Sequence, residues 1–137
     1  MARPPASRPR WIIVLAIIAV VFGVLTLYSG GAVLVSDGPE RAGAGAYVPF
    51  VLWFNVIAGL AYIIAGIGLY SWRRWAVNLS ILLAFATLLV FAAFGVHIMT
   101  GGSYEVRTIV AMTLRSTVWL TIASFAWVLW TRRDQAE

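Results

Sequence analysis

The sequence predicts an all-α membrane protein: four transmembrane helices in an up-down-up-down bundle with both termini in the cytoplasm. Three observations predict it. Of the 137 residues, 62% are hydrophobic and 11% charged, with a mean hydropathy of +0.92, whereas a soluble domain carries about 25% charged residues. The apolar residues fall in four blocks, each near the roughly 20 residues that cross a hydrocarbon core about 30 Å thick. The arginines between the blocks are unevenly distributed, and that asymmetry sets orientation.

Residues 1–10, MARPPASRPR, are a basic, Pro-rich cytoplasmic tail. The first span covers residues 11–35 without a charge. The basic start, with Ala42, Ala44 and Ala46 further on, imitates a secretory signal, but the apolar stretch exceeds the usual h-region of about 7–15 residues. It reads as a retained helix. Residues 36–46, SDGPERAGAGA, form a periplasmic loop with a turn signal at Asp37-Gly38-Pro39. The second span takes residues 47–70, and Pro49 suits its first turn, where a missing N–H costs nothing. The cytoplasmic turn of residues 71–74 is so short that the second and third helices must be antiparallel neighbours. The third span covers residues 75–100, and Gly101-Gly102 in the periplasmic turn 101–104 supplies C-cap chemistry. The fourth span is 105–131, followed by the cytoplasmic tail 132–137.

Arg3, Arg8, Arg10, Arg73, Arg74, Arg132 and Arg133 mark one side of this arrangement, and only Arg41 and Arg107 the other. The richer side is cytoplasmic. Trp11, Trp72, Trp75, Trp127 and Trp130 gather at that face, with Tyr28, Tyr47 and Tyr104 opposite, as two interfacial aromatic belts. All ten basic residues are Arg and none is Lys, a bias that points to a GC-rich bacterial genome and so to the inner membrane. The partners this implies are the bilayer, anionic lipids attracted to the arginine-rich cytoplasmic face, and a second copy or a larger membrane complex.

Small residues permit close helix approach in lipid. Ala19 and Gly23 provide them on the first span, and Ala58, Gly59, Ala61, Ala65, Gly66 and Gly68 on the second. The third carries Ala76, Ser80 and Ala84 at four-residue steps, with Ala92 on the same row.

Polar groups at membrane depth are expensive and therefore mark candidate sites. Arg115 lies eight residues beyond Arg107, roughly 12 Å below the periplasmic face at about 1.5 Å per residue. Asn55 is at a similar depth on the second span, and His97 roughly 6 Å deep on the third. At 100° per residue, Thr108, Ala111, Met112 and Trp119 share the Arg115 stripe, while Leu52, Gly59, Tyr62 and Gly66 share that of Asn55. Stripes facing the bundle axis enclose a periplasmic pocket of Asn55, Tyr62, His97, Thr108 and Arg115, with Tyr28 or Thr26 closing it. The Arg fork suits a carboxylate, a phosphate or a quinone carbonyl. The competing readings of Arg115 are snorkelling to the headgroups and a structural strut.

The zero cysteine count removes disulfides, thiolate metal sites and Fe–S clusters. Basic residues flank the spans without forming one polar face, so nucleic acid is excluded. No carboxylate pair sits on rigid elements, and no HExxH, GxSxG, Walker or GxGxxG pattern occurs. The sequence identifies no cofactor. A haem or copper ion would have to draw on His97, Met99 and Met112. These readings describe a non-enzymatic inner-membrane protein that binds a ligand in the periplasmic half or serves as an accessory subunit. A dimeric small-solute transporter or channel, and a haem or copper redox or assembly protein, are the alternatives left open.

Overall fold

The computed structural model describes residues 7–137, the Glu40 side chain excepted, so Arg3 lies outside the described residues. Its elements are α1 (Arg10–Val35), a short α2 (Pro39–Gly43), α3 (Pro49–Tyr70), α4 (Arg74–Met99) and α5 (Val106–Ala136). The four long helices are each long and apolar enough to cross a membrane. Large apolar side chains such as Ile17, Leu25, Ile57, Leu82, Phe85 and Val110 point outward along them. A soluble monomer rarely exposes a contiguous apolar surface of this kind, and in lipid it is the ordinary outer face.

The helices form a bundle in chain order. Along the α1–α3 seam, a Cβ placed on Gly66 would meet the Ala16 carbonyl at 2.9 Å, one on Gly23 would meet the Gly59 carbonyl at 2.8 Å, and one on Gly30 would meet Val56 at 2.8 Å. Rising numbers on α1 meet falling numbers on α3, so the two are antiparallel and nearly in backbone contact. Gly68 plays the same part against Trp75 and Ala76 where α3 turns into α4. That turn contains Trp72 at φ 51°, with the Arg73 N–H bonded to the Gly68 carbonyl at 3.0 Å. A left-handed residue usually costs a side chain about 1–2 kcal/mol. Trp72 offsets this by burying its indole 5.1 Å from Trp130.

At the far end of α4 the same closure uses glycine: Gly101 sits at φ 86° and the Gly102 N–H bonds the His97 carbonyl at 2.9 Å. Helix α5 runs through the segment read above as a tail. No breaker interrupts residues 132–136, and Arg133 pairs with Glu137 at 3.2 Å across one turn.

Helix α3 is the hub. It packs on α1 and α4, while α4 packs on α5; its Tyr62 reaches Trp119 of α5 across the diagonal, and Trp72 in the turn after it reaches Trp130. The α1 and α5 backbones approach each other at few points. The larger core cluster includes Ile12, Ala58, Tyr62, Leu69, Trp119 and Ile122, and a smaller one near the loops holds Val48, Val51, Phe94 and Met112. Asn55 on α3 and Arg115 on α5 fall between the two clusters and form a polar layer.

Candidate functional site

A cavity of about 400 Å³ lies in the half of the bundle nearest residues 36–48. Ser29, Gly30 and Val33 of α1 form one flank, Thr108, Ala111 and Arg115 of α5 the other, and Leu52 and Asn55 of α3 the back. The loop residues Gly43, Ala44 and Tyr47, with Arg107, lie at its outer end. It occupies the space where α1 and α5 fail to close on each other.

Arg115 is 8% exposed and Asn55 9%. The Arg115 guanidinium reaches only the Met112 sulfur, Nη1 to Sδ at 4.0 Å, and its Nε is buried with no hydrogen-bond partner. Among the described side chains the ion pairs are Arg41–Asp37 and Arg133–Glu137, and neither of these carboxylates reaches Arg115. The Asn55 Oδ1 is likewise buried without a partner. Behind this pair, Tyr62 and Trp119 are fully buried with ring centroids 4.6 Å apart. The Tyr62 hydroxyl has Thr87 and Arg115 as polar neighbours. Tyr62 Oη, Thr87 Oγ1 and Trp119 Nε1 also lack hydrogen-bond partners. Buried polar atoms in native proteins are nearly always bonded to protein or to water. Two of these five atoms, Asn55 Oδ1 and Arg115 Nε, belong to residues that line the cavity, and the other three lie in the core behind it.

The loop over the cavity is held by α5. The Ala46 N–H donates to Glu105 Oε1 at 2.8 Å, and Arg107 Nη2 donates to the Gly43 carbonyl. Gly45 takes φ 64°, and a Cβ there would collide with the Glu105 carboxylate. Within the loop, Arg41 donates to the Tyr47 hydroxyl at 3.2 Å and to Asp37 at 3.2 Å. These contacts hold its guanidinium above the ordinary arginine value, chiefly through the Tyr47 hydrogen bond.

Of the residues singled out in the sequence, Asn55, Thr108 and Arg115 line the cavity and Tyr62 lies beneath it. His97 is elsewhere. Its ring covers Gly102, its Nε2 donates to the Ser103 carbonyl at 3.0 Å, and it packs against Phe94 and Phe50, closing the α4–α5 turn. Tyr28 is 79% exposed and points away from the cavity, and Thr26 is buried. Ser29 stands on the α1 flank instead. Met99 is 87% exposed while Met112 is fully buried beside Phe94, so His97, Met99 and Met112 do not share one centre. Among the described residues no group of three His, Cys, Asp or Glu side chains converges.

Sequence reasoning missed Ser29, Tyr47 and Thr87. Thr87 extends the Ala76-Ser80-Ala84 row by three residues and was open to detection. Ser29 borders the buried Gly23-Thr26-Gly30 row. Tyr47 lies in irregular chain, where no period points. Set against known proteins, the chain matches no family, no curated protein and no solved structure.

Proposed function

We propose that this chain is a multi-pass protein of a bacterial inner membrane, with both termini cytoplasmic, that binds a small anionic ligand in the cavity between α1 and α5. The observation that carries this reading is Arg115, a buried cation on the wall of a 400 Å³ cavity, with an unpartnered Nε and no acidic neighbour among the described side chains. An uncompensated buried charge costs several kcal/mol, and a bound anion removes that penalty by accepting from the guanidinium fork. A snorkelling arginine keeps its head group in water or among lipid heads. Arg115 at 8% exposure does not. Asn55 and Thr108 add neutral hydrogen-bonding groups that orient the guest. The orientation rests on Arg8, Arg10, Arg73, Arg74, Arg132 and Arg133 at one end of the bundle against Arg41 and Arg107 at the other.

Native mass spectrometry of protein released from its own membrane tests the reading. The wild type should carry a stoichiometric anionic adduct that Arg115→Met lacks. Identical spectra for the two proteins would remove the cavity as a ligand site.

A further inference from the structure

The shape of the cavity says more than that an anion binds. Resting on the reading of Arg115 above, we propose that the ligand is a monoanionic amphiphile, with a carboxylate or phosphodiester head, that enters sideways from the bilayer between α1 and α5. Three observations lead there.

The end of the cavity facing the loops is covered. Gly43, Ala44 and Tyr47 lie over it, and their segment is fastened to α5 through Glu105 to the Ala46 N–H and Arg107 to the Gly43 carbonyl. Gly45 has no room for a side chain against Glu105, so the strap is close-fitting as well as bonded. The side between α1 and α5 is the more loosely walled, because those backbones meet at few points. A guest therefore reaches Arg115 more directly from the hydrocarbon than from water.

The charge and lining select the head and the tail. Two arginines line the cavity. Arg107 at its outer end is engaged with the Gly43 carbonyl, which leaves Arg115 as the buried cation of the inner end, matching one negative charge. Asn55 on the same lining presents a buried unpartnered oxygen. Val33, Leu52 and Ala111 give the walls above it an apolar surface. About 400 Å³ accommodates a head group and the first methylenes. The rest of an acyl chain leaves along the α1–α5 seam. A water-soluble anion gains nothing from those walls.

The test uses the full chain in phosphatidylcholine nanodiscs, titrated with oleate, phosphatidylglycerol, benzoate or inorganic phosphate and read by native mass spectrometry. Oleate or phosphatidylglycerol should form a one-to-one adduct at a concentration at least tenfold below that needed for benzoate or phosphate. Oleate alone assigns the carboxylate head, and phosphatidylglycerol alone the phosphodiester. The adduct should vanish in Arg115→Met and in Ala111→Phe, which fills the cavity and leaves the charge; if the first fails to fold, the second carries the test. The chain has no cysteine, so Ala46→Cys with Glu105→Cys, bridged by a short bis-methanethiosulfonate whose two methanesulfinate groups the thiolates displace, fastens the strap covalently. Adduct formation should proceed at an unchanged rate in the bridged protein. Slower loading there overturns the sideways route. Benzoate or phosphate binding through Arg115 as tightly as the amphiphiles overturns the ligand class while anion binding at Arg115 stands. No Arg115-dependent adduct with any probe overturns both.

Discussion

The rings of Tyr62 and Trp119 lie with centroids 4.6 Å apart and planes inclined by 32°, joining α3 to α5 across the diagonal of the bundle. Both side chains are fully buried and belong to the larger core cluster, at its end nearest Asn55 and Arg115. Trp119→Ala should cost about 3–5 kcal/mol through lost packing and the void left behind. Tyr62→Phe keeps the ring contact and deletes a hydroxyl that has Thr87 and Arg115 as neighbours but makes no well-formed hydrogen bond, so its stability should stay within about 1 kcal/mol of the wild type. Reversible unfolding in detergent measures both. A large loss in Tyr62→Phe would mean that the hydroxyl is bonded through an internal water.

The α1–α3 seam makes a sharper distinction among glycines. A methyl group on Gly23 would sit 2.8 Å from the Gly59 carbonyl, which is backbone and has no freedom to yield, whereas one on Gly31 meets nothing within 4 Å. Gly23→Ala should therefore destabilise by about 1–3 kcal/mol, the usual cost of overpacking. Gly31→Ala should be neutral or slightly stabilising because it removes a flexible residue from a helix interior. Equal melting temperatures for the two variants would contradict this geometry.

These seams show what a single sequence can and cannot display. Span positions follow from hydropathy, which is a property of each segment alone, and so the four long helices were legible to within a few residues. Helix α5 outran its expected end because hydropathy reports where a span leaves the apolar region, and the helix itself continues to Ala136. Ala76, Ser80 and Ala84 are buried as their row implied, but Ala92 is exposed. Each four-residue step overshoots a full turn by about 40°, so after four steps the row has left the seam. Asn55, Thr108 and Arg115 were brought to one cavity by depth and stripe together. His97 has the right depth, but depth carries no information about azimuth, and α4 stands on the side of α3 away from the cavity. The strap over the cavity depends on Gly45 and Glu105, which are sixty residues apart with no periodicity to connect them.

That strap yields a local prediction. Gly45→Ala places a side chain at φ 64° and against the Glu105 carboxylate, so the Ala46 N–H to Glu105 bond has to break. Hydrogen exchange at residues 43–47 should accelerate at least tenfold while exchange in α3 and α5 stays unchanged. Glu105→Gln, which keeps an acceptor oxygen for the Ala46 N–H, should exchange at nearly the wild-type rate. Uniform acceleration along the whole chain in Gly45→Ala would instead indicate that the loop is integral to global folding.

Arg115 sets stability and binding against each other. Its guanidinium is buried beside Met112 with no acid in reach among the described side chains, so ligand-free protein carries the cost of a desolvated charge. Replacing buried ionic groups by apolar residues of similar size is often neutral or stabilising by about 1–4 kcal/mol. Arg115→Met should accordingly melt at or above the temperature of the ligand-free wild type, and it should lose any rise in melting temperature that an anionic ligand confers. For the wild type, that rise should grow with ligand concentration, reaching about 2.7 kcal/mol at a hundred times the dissociation constant. A strut role predicts the reverse pattern: Arg115→Met would unfold well below the wild type, and no ligand would raise the melting temperature of either. Measuring both proteins with and without the adduct separates the two, because only a binding residue makes the unliganded protein less stable than its apolar replacement.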